Sequence, residues 1–177
     1  MSDDHGTRPQ SPATPAAPRK IVLSPAPATF NVTCYGFHLW AEDFLAAEKL
    51  YAPTARTGSF VAHFLCCQSI ELSLKGFLSL KGVKRTDLKK RFGHNLAKLY
   101  KEASGLDIGS FVTLKPEDLN LLHKVGGWYD TAGGKKFQYF DVWEALHAFK
   151  NAPDLSGIED LANRLQSEAL RKVLLDG

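Results

Sequence analysis

The stretch FLCCQSIELSLKGFLSLKGV, Phe64 to Val83, has the apolar density of a buried helix and yet holds Glu71 and Lys75 four residues apart. Thr57 or Ser59 can cap such a helix, which then runs to Gly82, about 24 residues or roughly 36 Å. Stepping about 100° per residue from Phe60 places Phe64 near 40°, Cys67 near 340°, Glu71 near 20°, Lys75 near 60° and Leu78 near 0°. The acid and the amine therefore share a face with aromatic and aliphatic side chains. The small residues Ala62, Ser69, Ser73 and Gly76 gather on the opposite side, where they permit the close approach of another helix. A helix enclosed on both sides is a central one, and Glu71 and Lys75 are expected to be partly buried. Two readings stay open: a structural ion pair that fixes helix register, or polar groups lining a cleft, with Gln68 as a possible third member.

Helical periodicity continues on both sides of this stretch. Before it, Phe37, Leu39, Trp40, Phe44, Leu45, Ala47 and Leu50 recur at helical spacing between Thr33 and Tyr51, and Pro53 closes the run. After it, a third helix is expected from His94 to Ala103, with Leu96, Leu99 and Tyr100 buried and Gly105 as its stop. A fourth starts at Pro116 with acidic residues in its first turn, and Gly126-Gly127 can kink it. VWEALHAFK and GIEDLANRLQSEALRKVLL give one short and one long helical pattern. No strand pattern or internal repeat is visible. The expected fold is all-α, an antiparallel up-and-down bundle of four to five helices.

Composition sets the boundaries. The chain of 177 residues fits one folded domain, which we place at residues 30–177. Residues 1–29 hold six of the nine prolines together with Ala, Ser and Thr, and are expected to form a disordered tail. No apolar run of membrane-spanning length and no signal-like leader is present, so a cytoplasmic protein with no membrane association is expected. Cys34, Cys66 and Cys67 read as reduced thiols, because the two neighbours point about 100° apart on a helix and cannot bridge. No metal-ligand spacing occurs, and neither a metal nor a cofactor is expected.

Between Lys81 and Lys101 stand eight basic residues against the single acid Asp87, a local +7 in a chain of net charge +3. Lys89, Lys90 and Arg91 precede His94 at the expected start of the third helix, where free backbone amides also attract anions. The run is either a seat for phosphate or a solvated connection that aids solubility. The aromatics Trp128, Tyr129, Phe137, Tyr139, Phe140 and Trp143 can form core or dimer contacts, or stack on bases.

The order SIELSLKGFLSLKG, a basic turn, then GHNLAKLYKEA resembles the small helical HEPN domains, through Glu71, Lys75, Gly93, His94, Leu96 and Leu99. That resemblance implies a helical bundle that forms a homodimer. It also implies one of three roles: metal-independent RNase, nucleotide binder, or partner of a nucleotidyltransferase, as in toxin–antitoxin pairs. The RNases of the family use an Arg followed after four to six residues by a His in a late helix. Here only Arg56 and His63 have that spacing, with Arg56 in the loop before the long helix, and KKFQYF stands where relatives carry Arg-Tyr, although Lys135 or Lys136 can supply a charge there. The expectation is a noncatalytic module, with no catalytic residue, that binds a nucleotide or RNA-like polyanion through Glu71, Lys75, Lys89, Lys90, Arg91 and His94. The alternatives are a protein-interaction or dimer module partnering a nucleotidyltransferase or toxin–antitoxin component, and a metal-independent RNase.

Overall fold

The computed structural model describes residues 33–55, 59–130, 132, 134–138 and 152–177. The expected tail, Arg56, the VWEALHAFK helix and the aromatics Tyr139, Phe140 and Trp143 lie outside the described residues. Those that are described form an all-helical structure with no strand among them: α1 (Cys34–Tyr51), α2 (Val61–Leu80), a single turn α3 (Arg85–Asp87), α4 (Leu96–Gly105), α5 (Asp118–Tyr129), α6 (Leu155–Arg164) and α7 (Glu168–Asp176). No helix among the described residues is long and apolar enough to cross a membrane.

Seven helices stand against the four to five expected, for two local reasons. The basic turn is itself helical, with α3 running into a π-helical segment at Leu88–Phe92. The long C-terminal pattern breaks at Ser167, whose extended backbone caps α7: its Oγ accepts from Leu170 N at 3.2 Å and donates to the Phe111 carbonyl at 2.7 Å. The fourth helix also starts later than expected. Pro116 sits in the preceding turn rather than at the first helical position, and α5 begins at Asp118 and continues through Gly126-Gly127.

α2 is the central element, packed against α1, α4, α6 and α7. Its 20 residues, about 30 Å, bury Cys66, Cys67, Ile70, Leu74, Phe77 and Leu78. α1 and α2 form an antiparallel hairpin. Tyr51 Oη and Ser59 Oγ are hydrogen-bonded at 2.7 Å at one end, and the start of α1 lies over Gly76 at the other. A Cβ at Gly76 would stand 2.9 Å from the Cys34 carbonyl oxygen and 3.3 Å from Phe37 Cβ. That close approach turns Gly36, His38, Ala41, Leu45 and Glu48 inward on α1, rather than the whole expected apolar stripe, and leaves Leu50 exposed. Because the obstruction is helix backbone, Gly76→Ala is expected to destabilise the protein by about 1–3 kcal/mol through overpacking, read as a lower urea midpoint with an unchanged m-value.

The rest of the small-residue face of α2 is also covered from within the chain. Gln166 Nε2, at the corner between α6 and α7, donates to Ser73 Oγ at 2.8 Å and to Ser69 Oγ at 3.3 Å. α4 adds Leu96, Leu99, Tyr100 and Ala103 to the core, α5 adds Leu122 and Val125, and α6 and α7 add Ile158, Leu161, Leu170 and Leu174. The cysteine thiols are free. Burial, reinforced by the charges of Glu48 and Glu159, pushes the Cys66 thiol up to about 12, which leaves it unreactive.

Candidate functional site

The Glu71–Lys75 pair lies where α2, the basic elbow, the start of α4 and the end of α5 meet. Glu71 is 3% exposed and the Lys75 side chain 13%, so the carboxylate is buried and its partner mostly covered. Four hydrogen bonds converge on the one carboxylate. Lys75 Nζ donates to Oε1 at 2.6 Å and the Tyr129 hydroxyl to Oε2 at 2.7 Å, while His94 Nδ1 lies 3.0 Å from Oε2 and 3.2 Å from Oε1. A carboxylate oxygen accepts, so the hydrogen of this contact lies on Nδ1 of His94. Burial, followed by the charge of Glu71, holds the Tyr129 phenol far above its ordinary value, and it serves as a neutral donor. Gln68 is not among the partners of Glu71.

Local backbone geometry brings His94 back over this carboxylate. The π-helical segment ends at Gly93, whose N–H donates to the Leu88 carbonyl at 3.1 Å. Its φ of +55° and ψ of −117° suit glycine and disfavour residues with a Cβ. The chain thereby reverses at Gly93, and Asn95 caps α4, its Oδ1 accepting from Lys98 N at 2.9 Å. Asn95 Nδ2 also donates to Asp130 Oδ2 at 3.3 Å, which ties the start of α4 to the end of α5.

Outside the carboxylate lies a cleft of about 270 Å³ lined by Phe37, Lys75, Arg85, Leu88, Lys89, Gly93 and His94. Four of these seven residues are basic and none is acidic. His94, with 47% of its side chain exposed, spans the boundary between the buried carboxylate and the cleft. The chemistry on offer is anion recognition: two lysines, an arginine and an imidazole line one cleft, with Lys75 held in place by Glu71.

The expected site residues are only partly brought together. Glu71, Lys75, Lys89 and His94 converge. Lys90 is exposed and does not line the cleft, and Arg91 turns to the other side of the elbow, 3.7 Å from Glu102 with its guanidinium over the Phe92 ring. Arg85 takes their place in the cleft. Its position in the basic run was the available signal, but the π-helical turn that rotates Lys90 and Arg91 away has no sequence period.

The aromatic segment is largely core where it is described. Phe60, Trp128 and Phe137 form a cluster with ring centroids 5.5–5.9 Å apart, and Lys136 Nζ lies 5.6 Å over Trp128. His63 sits 5.2 Å from both Phe60 and Phe137, its Nε2 3.1 Å from the Pro153 carbonyl oxygen. Burial lowers its pKa, against the opposing pull of that carbonyl. Among the described residues no group of three His, Cys, Asp or Glu side chains is placed to hold a metal.

No family model, curated protein or solved structure matches this chain.

Proposed function

We propose that this protein is a noncatalytic, HEPN-like helical bundle that binds the phosphates of a nucleotide or RNA-like polyanion in the elbow cleft. The observation that carries the reading is the convergence of Lys75, Arg85, Lys89 and His94 on one cleft with no acid in its lining. The buried Glu71 supports it by fixing Lys75 and His94 from behind, so that both side chains are positioned before a ligand arrives. The resemblance of the Glu71–Lys75 and Gly93–His94 pattern to HEPN domains points the same way.

A labelled single-stranded oligoribonucleotide and a nucleoside triphosphate, titrated across a salt series, test this function. With about four phosphates neutralised on the single strand, log affinity is expected to fall with log salt at a slope near −3. Arg85→Glu and Lys89→Glu, both at exposed positions, are expected to abolish binding of both ligands without lowering thermal stability. Lys90→Glu is expected to have a much smaller effect, because its side chain lies outside the cleft. Absence of binding at low salt, or equal losses at Lys89 and Lys90, overturns the proposal.

A further inference from the structure

On the far side of the elbow a larger groove, about 530 Å³, runs between the π-helical segment and the outer face of α4. Its rim carries Arg91, Lys98 and Lys101, all exposed, and its apolar lining includes Phe92 and Leu106. The one acid in it, Glu102, stands 3.7 Å from Arg91, beyond hydrogen-bonding distance. None of the rim cations lines the elbow cleft.

We infer that this groove is a docking surface for an acidic segment of a partner protein that presents carboxylates around a short apolar stretch. Charge complementarity selects the acidic class. Three cations face one acid, and the loose Arg91–Glu102 contact is an internal stand-in for the carboxylate that a partner supplies in bidentate form. The apolar lining distinguishes a peptide from a nucleic acid. Strand binding uses open aromatic faces for base stacking. Phe92 is only 7% exposed, and the Arg91 guanidinium lies 5.0 Å from its centroid, so the groove offers no such platform. An aliphatic side chain laid on Leu106 and the alkyl stems of Lys98 and Lys101 buries apolar surface instead. Gly105, at the end of α4, also lines the groove, and no atom lies within 4 Å of where a Cβ would stand.

The test uses the full chain and a fluorescent peptide of sequence Glu-Asp-Leu-Phe-Asp-Glu, with binding followed by anisotropy. Direct binding is expected, weakened about tenfold or more by Lys98→Glu with Lys101→Glu, and weakened comparably when the peptide's Leu and Phe are both replaced by Ser. Lys98→Gln with Lys101→Gln, a milder change, is expected to give an intermediate loss. The same variants are expected to leave nucleoside triphosphate binding at the elbow cleft unchanged, which separates this surface from that one. The inference is overturned if the peptide does not bind, if the rim variants bind it as wild type does, or if the Ser-substituted peptide binds equally well. Displacement of the peptide by an oligoribonucleotide whose own binding needs Lys98 and Lys101 overturns it too, and assigns the groove to nucleic acid.

Discussion

Glu71→Ala is expected to destabilise the protein by about 3–5 kcal/mol, a fall of roughly 6–20 °C in Tm for a domain of this size. The magnitude follows from what the substitution leaves behind. Lys75, 87% buried as a side chain, loses the carboxylate 2.6 Å away, and the buried Tyr129 hydroxyl loses its acceptor at 2.7 Å. An exposed ion pair at this helical spacing contributes only about 0.3–0.5 kcal/mol, so the size of the loss distinguishes a buried hub from a surface pair. Glu71→Ala with Lys75→Met is expected to recover part of the stability, because no ammonium then remains buried without a counter-charge. The same double variant is expected to lose anion binding, whereas Tyr129→Phe removes one hydrogen bond, costs about 1 kcal/mol and leaves Lys75 and His94 in place. Urea denaturation monitored by far-UV circular dichroism, paired with the binding titration, measures both. A loss below 1 kcal/mol for Glu71→Ala would contradict the buried hub.

The features of this site that could be read in the sequence are those with a short period. Glu71 and Lys75 share a helix face with Phe64, Cys67 and Leu78, and a run so apolar places that face indoors. The end of α1 at Tyr51 follows from Pro53, whereas the cap at its start, where the Thr33 hydroxyl accepts from Gly36 N at 3.1 Å, is a finding of the structure. Contacts between distant segments leave no such trace. Tyr129 reaches Glu71 across 58 residues, and spacing alone assigned it only to an aromatic cluster. The small face of α2 was legible as a place for close approach, but its occupants, the start of α1 and Gln166, were not. Register was lost at the elbow for a different reason. A π-helical turn shifts each side chain relative to the 100° step, so Lys89 faces the cleft while its neighbours Lys90 and Arg91 do not.

Asp118 shows the same limit and leads to the second large effect. In the sequence it is one of the acids in the first turn of a helix, where an exposed carboxylate contributes a few tenths of a kcal/mol. In the structure it is 1% exposed and bound by Arg164 through two contacts, Nη2 to Oδ1 at 2.6 Å and Nη1 to Oδ2 at 3.0 Å. The Tyr100 hydroxyl at 3.0 Å and Lys115 N at 2.8 Å also donate to Oδ2. Burial alone would raise the Asp118 pKa, but the hydrogen bonds from Arg164, Lys115 and Tyr100 outweigh it and hold the carboxyl below its ordinary value. A carboxyl held low in the folded state contributes stability above its unfolded pKa of about 3.9 and loses it as pH falls through the folded value. Arg164→Met removes the guanidinium while keeping much of the side-chain volume, and leaves a buried carboxylate with two neutral donors. Its expected cost near neutral pH is about 3–5 kcal/mol. In that variant burial wins and the Asp118 pKa moves up, so protonation relieves the unpaired charge, and the deficit relative to wild type should narrow as pH falls from the variant's raised Asp118 pKa through the wild type's depressed one. Arg164→Met with Asp118→Asn is expected to be more stable than Arg164→Met alone at pH 7 and nearly equal to it in acid. Denaturant titrations of the wild type, both of these variants and Asp118→Asn alone at pH 7 and pH 3.5 complete the cycle. A deficit for Arg164→Met that stays constant with pH would show that lost packing, rather than the uncompensated Asp118 charge, is responsible.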